Sequence, residues 1–253
     1  MELLDLDDYS LTKIFSYCSI EDLLKLSDIS GRFRKLCQPR TGLLISPCMR
    51  KFELDYRTIM LSKEDRHVES IFRMFGSSME SFRFSAGIGR IVDERLRTCV
   101  VYYLNWYCKS LRHLTINFVP LPKWYLTILA GPLHTLVSLD LAYCDLADDS
   151  LGEILPSRTL QLRTLAIPGN QYLTGAFLAN WTDCPKLELL DLRYCPALKN
   201  DMIDQFLQEH FKKHSKRVIV VVDSGRIWSP RNKDIVPKED RSIALRTESP
   251  ELK

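Results

Sequence analysis

A spaced set of apolar residues, Leu136-x-x-Leu139-x-Leu141-x-x-Cys144-x-Leu146, fits the pattern L-x-x-L-x-L-x-x-[N/C]-x-L at every position. Leu162, Leu165, Ile167 and Asn170 repeat it, as do Leu187, Leu190, Leu192 and Cys195, with the closing leucine one residue later at Leu173 and Leu198. Looser copies begin at Met79, Leu111 and Arg217, and a softer one is legible at Met49, Phe52 and Leu54. The starts at 79, 111, 136, 162, 187 and 217 are separated by 32, 25, 26, 25 and 30 residues. Self-similarity at such a period specifies one strand-and-helix unit per copy, because no single copy can bury its apolar side alone and each must stack on its neighbours. The pattern therefore predicts an α/β solenoid with a parallel sheet inside and helices outside, over residues 43–225 in about six units.

At the [N/C] position the side chain has to satisfy buried backbone in the turn that leaves the strand. An asparagine amide does this directly, and a cysteine fits as a small, weakly polar residue. Cys144 and Cys195 are accordingly structural and not nucleophiles. The eight cysteines, at 18, 37, 48, 99, 108, 144, 184 and 195, include no C-x-x-C pair and are read as reduced thiols.

Ahead of the repeats, residues 6–37 carry three helical patterns. Leu11, Ile14, Phe15 and Cys18 lie on one helix face; Ser19 and Asp22 have capping-box spacing ahead of Leu23, Leu24 and Leu26; Ile29, Phe33, Leu36 and Cys37 follow near Ser30. So short a unit leaves much of its apolar surface uncovered, so it needs a partner: another protein, or the first repeat itself.

The formal charge of +3, from 35 basic and 32 acidic residues, is too balanced to imply nucleic acid or an anionic membrane as partner. The acidic start Glu2, Asp5 and the short apolar runs match neither a secretory signal, a mitochondrial presequence nor a membrane span, which places the expected location in the cytoplasm or nucleus. His210 and His214 have helical metal-ligand spacing, but Lys212 and Lys213 lie between them, and no metal or cofactor is expected. Gly87-Ile88-Gly89 lacks the third glycine of a dinucleotide fingerprint. No set of residues rises to a catalytic constellation, so the chain is read as a binding protein and not an enzyme. From Arg226 onward, twelve of the final 28 residues are charged and prolines recur, which marks residues 226–253 as a polar tail.

The run from Leu6 to Tyr17, followed by Asp22-Leu23-Leu24-Lys25-Leu26 and Ser30-Gly31-Arg32-Phe33-Arg34-Lys35-Leu36, resembles an F-box without gaps, which sets a first domain at residues 1–42. With cysteine-bearing repeats such as Leu139-Asp140-Leu141-Ala142-Tyr143-Cys144, the chain resembles the F-box and leucine-rich-repeat family over roughly residues 6–225. It departs at Asp7, where the family pattern has proline, and at Tyr9, where it has an acidic residue. The resemblance implies a short three-helix F-box before a leucine-rich-repeat solenoid. It also implies docking to a Skp-type adaptor of a cullin-RING ubiquitin ligase, with the repeats holding a protein substrate. Adaptor contacts would fall on Leu6, Leu11, Ile14, Phe15, Leu23, Leu26, Ile29, Phe33 and Leu36, some of which must serve as the domain's own core.

Strand alternation turns the residues between the repeat leucines toward the concave face. In the early and middle units these are small or polar, from Ser81, Arg83 and His113 to Thr164 and Ala166. In the last two they are Leu189, Asp191, Arg193, Ile219, Val221 and Asp223. Three aliphatic residues rimmed by charge mark that end either as the expected substrate site or as the footing of a cap formed by Ile227 and Trp228.

Overall fold

The computed structural model describes residues 5–38, 50–55, 65–87, 92–156, 159–223 and 227–228. Three short helices open the chain: α1 (Asp8–Phe15), α2 (Ile20–Ile29) and α3 (Gly31–Cys37). Each begins where a short polar side chain accepts an amide N–H that the helix cannot pair internally: Asp7 from Ser10, Ser19 from Asp22, Ser30 from Phe33. Asp7 thus takes the capping role at the position where the family pattern has proline. Leu11, Phe15, Leu23, Phe33 and Leu36 close into a core, with Phe15 and Phe33 edge to face at 5.1 Å. Arg32 ties the first helix to the third through Asp8 Oδ1 at 2.8 Å and the Leu6 carbonyl at 2.6 Å.

Seven parallel strands follow in sequence order: β1 (Lys51–Asp55), β2 (Ser81–Ser85), β3 (His113–Asn117), β4 (Ser138–Asp140), β5 (Thr164–Ala166), β6 (Leu189–Asp191) and β7 (Ile219–Val221). Their register aligns Phe52, Phe82, Leu114, Leu139, Leu165, Leu190 and Val220 in one buried column. This is the spacing rule of the sequence made physical, and it includes the softest copy. In the last copy the first position departs from the pattern: Arg217 is exposed and Val218 is buried instead. An eighth strand, β8 (Ile227–Trp228), pairs antiparallel with β7, so residues 227 and 228 cover the backbone edge that the last repeat would leave open.

Connecting segments explain the uneven periods. Helices α4 (Asp65–Phe75), α5 (Glu94–Tyr107) and α6 (Lys123–Leu133) link the early strands; α7 (Asp148–Ile154) is short, and α8 (Asn200–His214) precedes β7. The two longest helices, α5 and α8, lie in the 32- and 30-residue copies. Not every copy has an α-helix, contrary to the sequence expectation. Between β5 and β6 there is a 3₁₀ turn, Ala176–Asn180, entered through Gly175 at φ +92°. Asp148 of the preceding copy binds this turn, accepting from Thr174 N and Oγ1 and from the amides of Gly175 and Phe177. A carboxylate from one repeat therefore does the work of internal helix bonds in the next. Residues 88 and 89 of the Gly87-Ile88-Gly89 run lie outside the described residues.

The [N/C] position behaves as the sequence requires. Asn170 Oδ1 accepts from Cys144 N and Leu146 N, both at 3.0 Å, and Nδ2 donates to the carbonyls of Leu141 and Ile167 at 3.0 and 2.8 Å. Cys144 Sγ donates to Ile116 O at 3.0 Å and Cys195 Sγ to Ile167 O at 3.5 Å. Both thiols are buried, and burial pushes the Cys195 thiol up to about 11 and Cys144 higher still.

At the C-terminal end, His210 Nε2 lies 3.0 Å from the Cys184 carbonyl and His214 Nε2 lies 2.9 Å from that of Thr182. The two imidazoles pin the approach to β6 against α8 rather than converging on a shared point. His210 Nδ1 is buried without a hydrogen-bond partner, and burial, reinforced by His214 and Lys216, holds this imidazole below its ordinary value of 6.5.

Replacing Asn170 with Ala strands the Cys144 and Leu146 amide N–H groups and the Leu141 carbonyl, each costing about 1–3 kcal/mol when buried and unpaired, while the Ile167 carbonyl keeps the Cys195 thiol. Denaturant melts are expected to show a loss of about 3 kcal/mol or more, with Asn170→Cys milder because a thiol reaches a carbonyl at the equivalent sites. Cys144 and Cys195 are expected to resist thiol reagents in the native protein while the half-buried Cys18 and Cys99 react first; mass-mapped labelling before and after unfolding measures this. Because the unfolded chain binds a proton on His210 near 6.5 and the folded chain does so only at lower pH, stability is full above that value and declines as pH falls through it. Thermal melts of His210→Gln are expected to flatten this dependence.

Candidate functional site

Two surfaces stand out, one on the helical N-terminus and one on the sheet. On the first, four large apolar side chains, Tyr9, Ile14, Tyr17 and Ile29, are between 43 and 80 % exposed. Tyr9, Ile14 and Ile29 are exposed because their helices are amphipathic, and Tyr17 lies in the turn that follows α1. With 3.6 residues per turn, Leu11, Thr12 and Phe15 occupy the inner arc of α1, leaving Tyr9 and Ile14 on the outer one, and Ile29 lies opposite Leu23 and Leu24 on α2. Leu6 and Leu26 are half-buried against the core.

The nine residues implicated by resemblance therefore separate into two groups. Leu11, Phe15, Leu23, Phe33 and Leu36 hold the three helices together. Ile14 and Ile29, with the outer parts of Leu6 and Leu26, remain available to another protein. Tyr9 and Tyr17 were missed in the sequence because a tyrosine fits a helix core or its surface equally well, and periodicity does not discriminate between them.

The second surface is the face of the sheet opposite the buried column. Ile219 is exposed and Leu189 and Val221 are half-buried, as strand alternation predicts for that face. Asp191 differs from expectation: it is buried beneath Arg193, whose guanidinium contacts both carboxylate oxygens, with Nη2 to Oδ2 at 2.6 Å. The carboxylate thereby raises the Arg193 pKa. The pair is short-range, only two residues apart in sequence, and it anchors the guanidinium to Asp191 while the arginine side chain stays partly exposed.

Among the described residues, no group of three His, Cys, Asp or Glu side chains converges as a metal site. Among the same residues, no helix is long and apolar enough to cross a membrane. The arrangement offers surfaces for macromolecular contact.

No curated protein matches the chain in sequence. Among solved structures, a chain in the crystal structure of the Rad7 and Elc1 complex in yeast is similar, with a TM-score of 0.40 and 14% identity. The similarity covers 80% of this chain and 64% of that one, so the present chain spans less than two thirds of that relative's length. The family described as F-box domain matches residues 3–40, the segment containing α1, α2 and α3. The helical N-terminus of this chain is an F-box domain.

Proposed function

We propose that the chain is a substrate receptor of a cullin-RING ubiquitin ligase, with its F-box docking a Skp- or Elongin-type adaptor and its sheet presenting a surface to a protein substrate. The observation that carries this reading is the exposed set Tyr9, Ile14, Tyr17 and Ile29 on a domain matched as an F-box. A water-facing Ile forgoes about 1.5–3 kcal/mol of burial, and several in so small a unit signal a surface meant to be covered. On this reading the buried five set the shape of the F-box and the exposed four, with Leu6 and Leu26, meet the adaptor. Leu189, Ile219 and Val221 supply the apolar part of the substrate surface, and the Asp191–Arg193 pair its polar margin.

One observation favours a second reading, a protein-interaction scaffold that recruits no ligase. Helix α2 packs on α4, so the F-box segment also covers the first repeat. Binding to an adaptor separates the two.

Leu11 and Phe15 are unsuitable probes, since truncating such core residues costs about 2–5 kcal/mol each and unfolds the domain. Ile14→Asp combined with Ile29→Asp is the informative variant. Captured on immobilised Skp- and Elongin-type adaptors in turn, the parent chain is expected to bind one of them and the variant to lose at least about tenfold in affinity, with an unchanged melting temperature. Failure of the parent to bind either adaptor, or undiminished capture of the folded variant, overturns the assignment.

A further inference from the structure

The strand exits in the C-terminal half of the sheet carry aromatic side chains at backbone positions that favour glycine. Extending the register of β3 to β6 by equal steps aligns Phe118, Tyr143, Gly169 and Tyr194, and the ladder continues through Phe118 N–H to Ala142 O, Tyr143 N–H to Pro168 O and Gly169 N–H to Arg193 O. All four are left-handed, with φ of +59°, +56°, +71° and +58°. A side chain with a Cβ is disfavoured there, and an aromatic one is uncommon. Only Gly169 takes the residue that the geometry favours, and its missing Cβ is used: an ideal Cβ would lie 2.2 Å from Cε1 of Tyr143. The Tyr143 ring crosses that space and stacks on Phe118 at 4.8 Å and 8°. Tyr143 and Tyr194 are nonetheless 40 and 58 % exposed, so core packing does not account for Tyr194.

Acidic groups surround this row. Asp140 and Asp191 lie two strands apart on one face of the sheet, with Ala166 between them, and still repel each other; Asp145 is exposed in the turn after Tyr143, and Asp223 accepts the Tyr194 amide N–H. Against these four carboxylates stand the Arg193 guanidinium, which is already folded onto Asp191 and interacts with both Tyr143 and Tyr194, and Arg83, which acts on Asp140 from two strands away. Four negative charges and two positive leave a formal balance of −2. An apolar partner would desolvate these carboxylates without pairing them, and an acidic partner would be repelled. A cation meets both features, attracted by tyrosine faces and by carboxylates.

We propose that the tyrosine and aspartate rim around Tyr143 and Tyr194 receives a lysine- or arginine-bearing segment of a protein partner. This deepens the reading of the sheet as a substrate surface and rests on it. The aromatic faces orient the cation, Asp140 and Asp223 balance its charge, and Leu189 and Ile219, paired at the start of β6 and β7, offer apolar surface further along the same face for other residues of the segment.

The test uses the full chain and two fluorescein-labelled peptides of one length, a Lys/Arg–Gly–Ser sequence and its Glu counterpart, followed by fluorescence anisotropy. The basic peptide is expected to bind more tightly than the acidic one, with affinity falling as salt rises. Tyr194→Gly is expected to weaken it about tenfold. The same variant keeps or raises the melting temperature, because glycine relieves the left-handed φ while its amide still reaches Asp223. Equal binding of the two peptides overturns the proposal, as does parental affinity in Tyr194→Gly. Binding that appears only after removal of the residues beyond 225 overturns it in favour of the chain's own tail as occupant. Adaptor capture, measured on the same preparation, keeps the two readings apart: capture without peptide preference sinks this inference alone, and peptide preference without capture sinks only the ligase assignment.

Discussion

Stacked parallel strands of three to five residues hold together only if the backbone that leaves each strand finds hydrogen-bond partners inside an apolar wall. Asn170 meets this requirement for two repeats at once, with its amide bonded to Cys144, Leu146, Leu141 and Ile167. Cys144 and Cys195 meet a smaller part of it with one thiol each. Asp148 does the same work where a copy lacks a helix, bridging to the 3₁₀ turn of the next. The buried column from Phe52 to Val220 supplies the hydrophobic driving force, but these side chains let the column exist without buried, unpaired amides.

The same division of labour sets where the protein can be touched. In the F-box, amphipathic helices of seven to ten residues have one inner arc, which Leu11, Phe15, Leu23, Phe33 and Leu36 fill, so the remaining apolar side chains are turned to solvent. In the sheet, the leucine positions point inward and the intervening ones form the opposite face. The strand exits add a third class of position, neither inside nor alternate, where a left-handed backbone throws Tyr143 and Tyr194 outward.

The two ends of the sheet are treated differently. At its N-terminal end α2 lies against α4. At its C-terminal end β8 turns antiparallel and occupies the edge of β7. An open parallel edge is an invitation to pair with another chain, and two residues suffice to close an edge only three residues long.

The repeat spacing determined the strands, their order and their buried column, because a side chain that alternates in a strand has only two faces and the leucines choose one. Local periodicity determined the three N-terminal helices and the Ser19 cap, and the [N/C] position the structural role of Cys144 and Cys195, since local hydrogen bonding and periodicity depend on neighbours a few residues away. Tertiary structure alone decided which of nine F-box residues are core and which are surface. Leu11 and Ile14 both fit a helical stripe, and only the packing of α1 on α3 buries one and exposes the other. It alone folded Arg193 onto Asp191, replaced one expected helix with a 3₁₀ turn, and aligned Phe118, Tyr143 and Tyr194 in a row. Those residues lie 25 and 51 positions apart, and no local pattern relates them. Their proximity is a product of register, which exists only once the repeats are stacked.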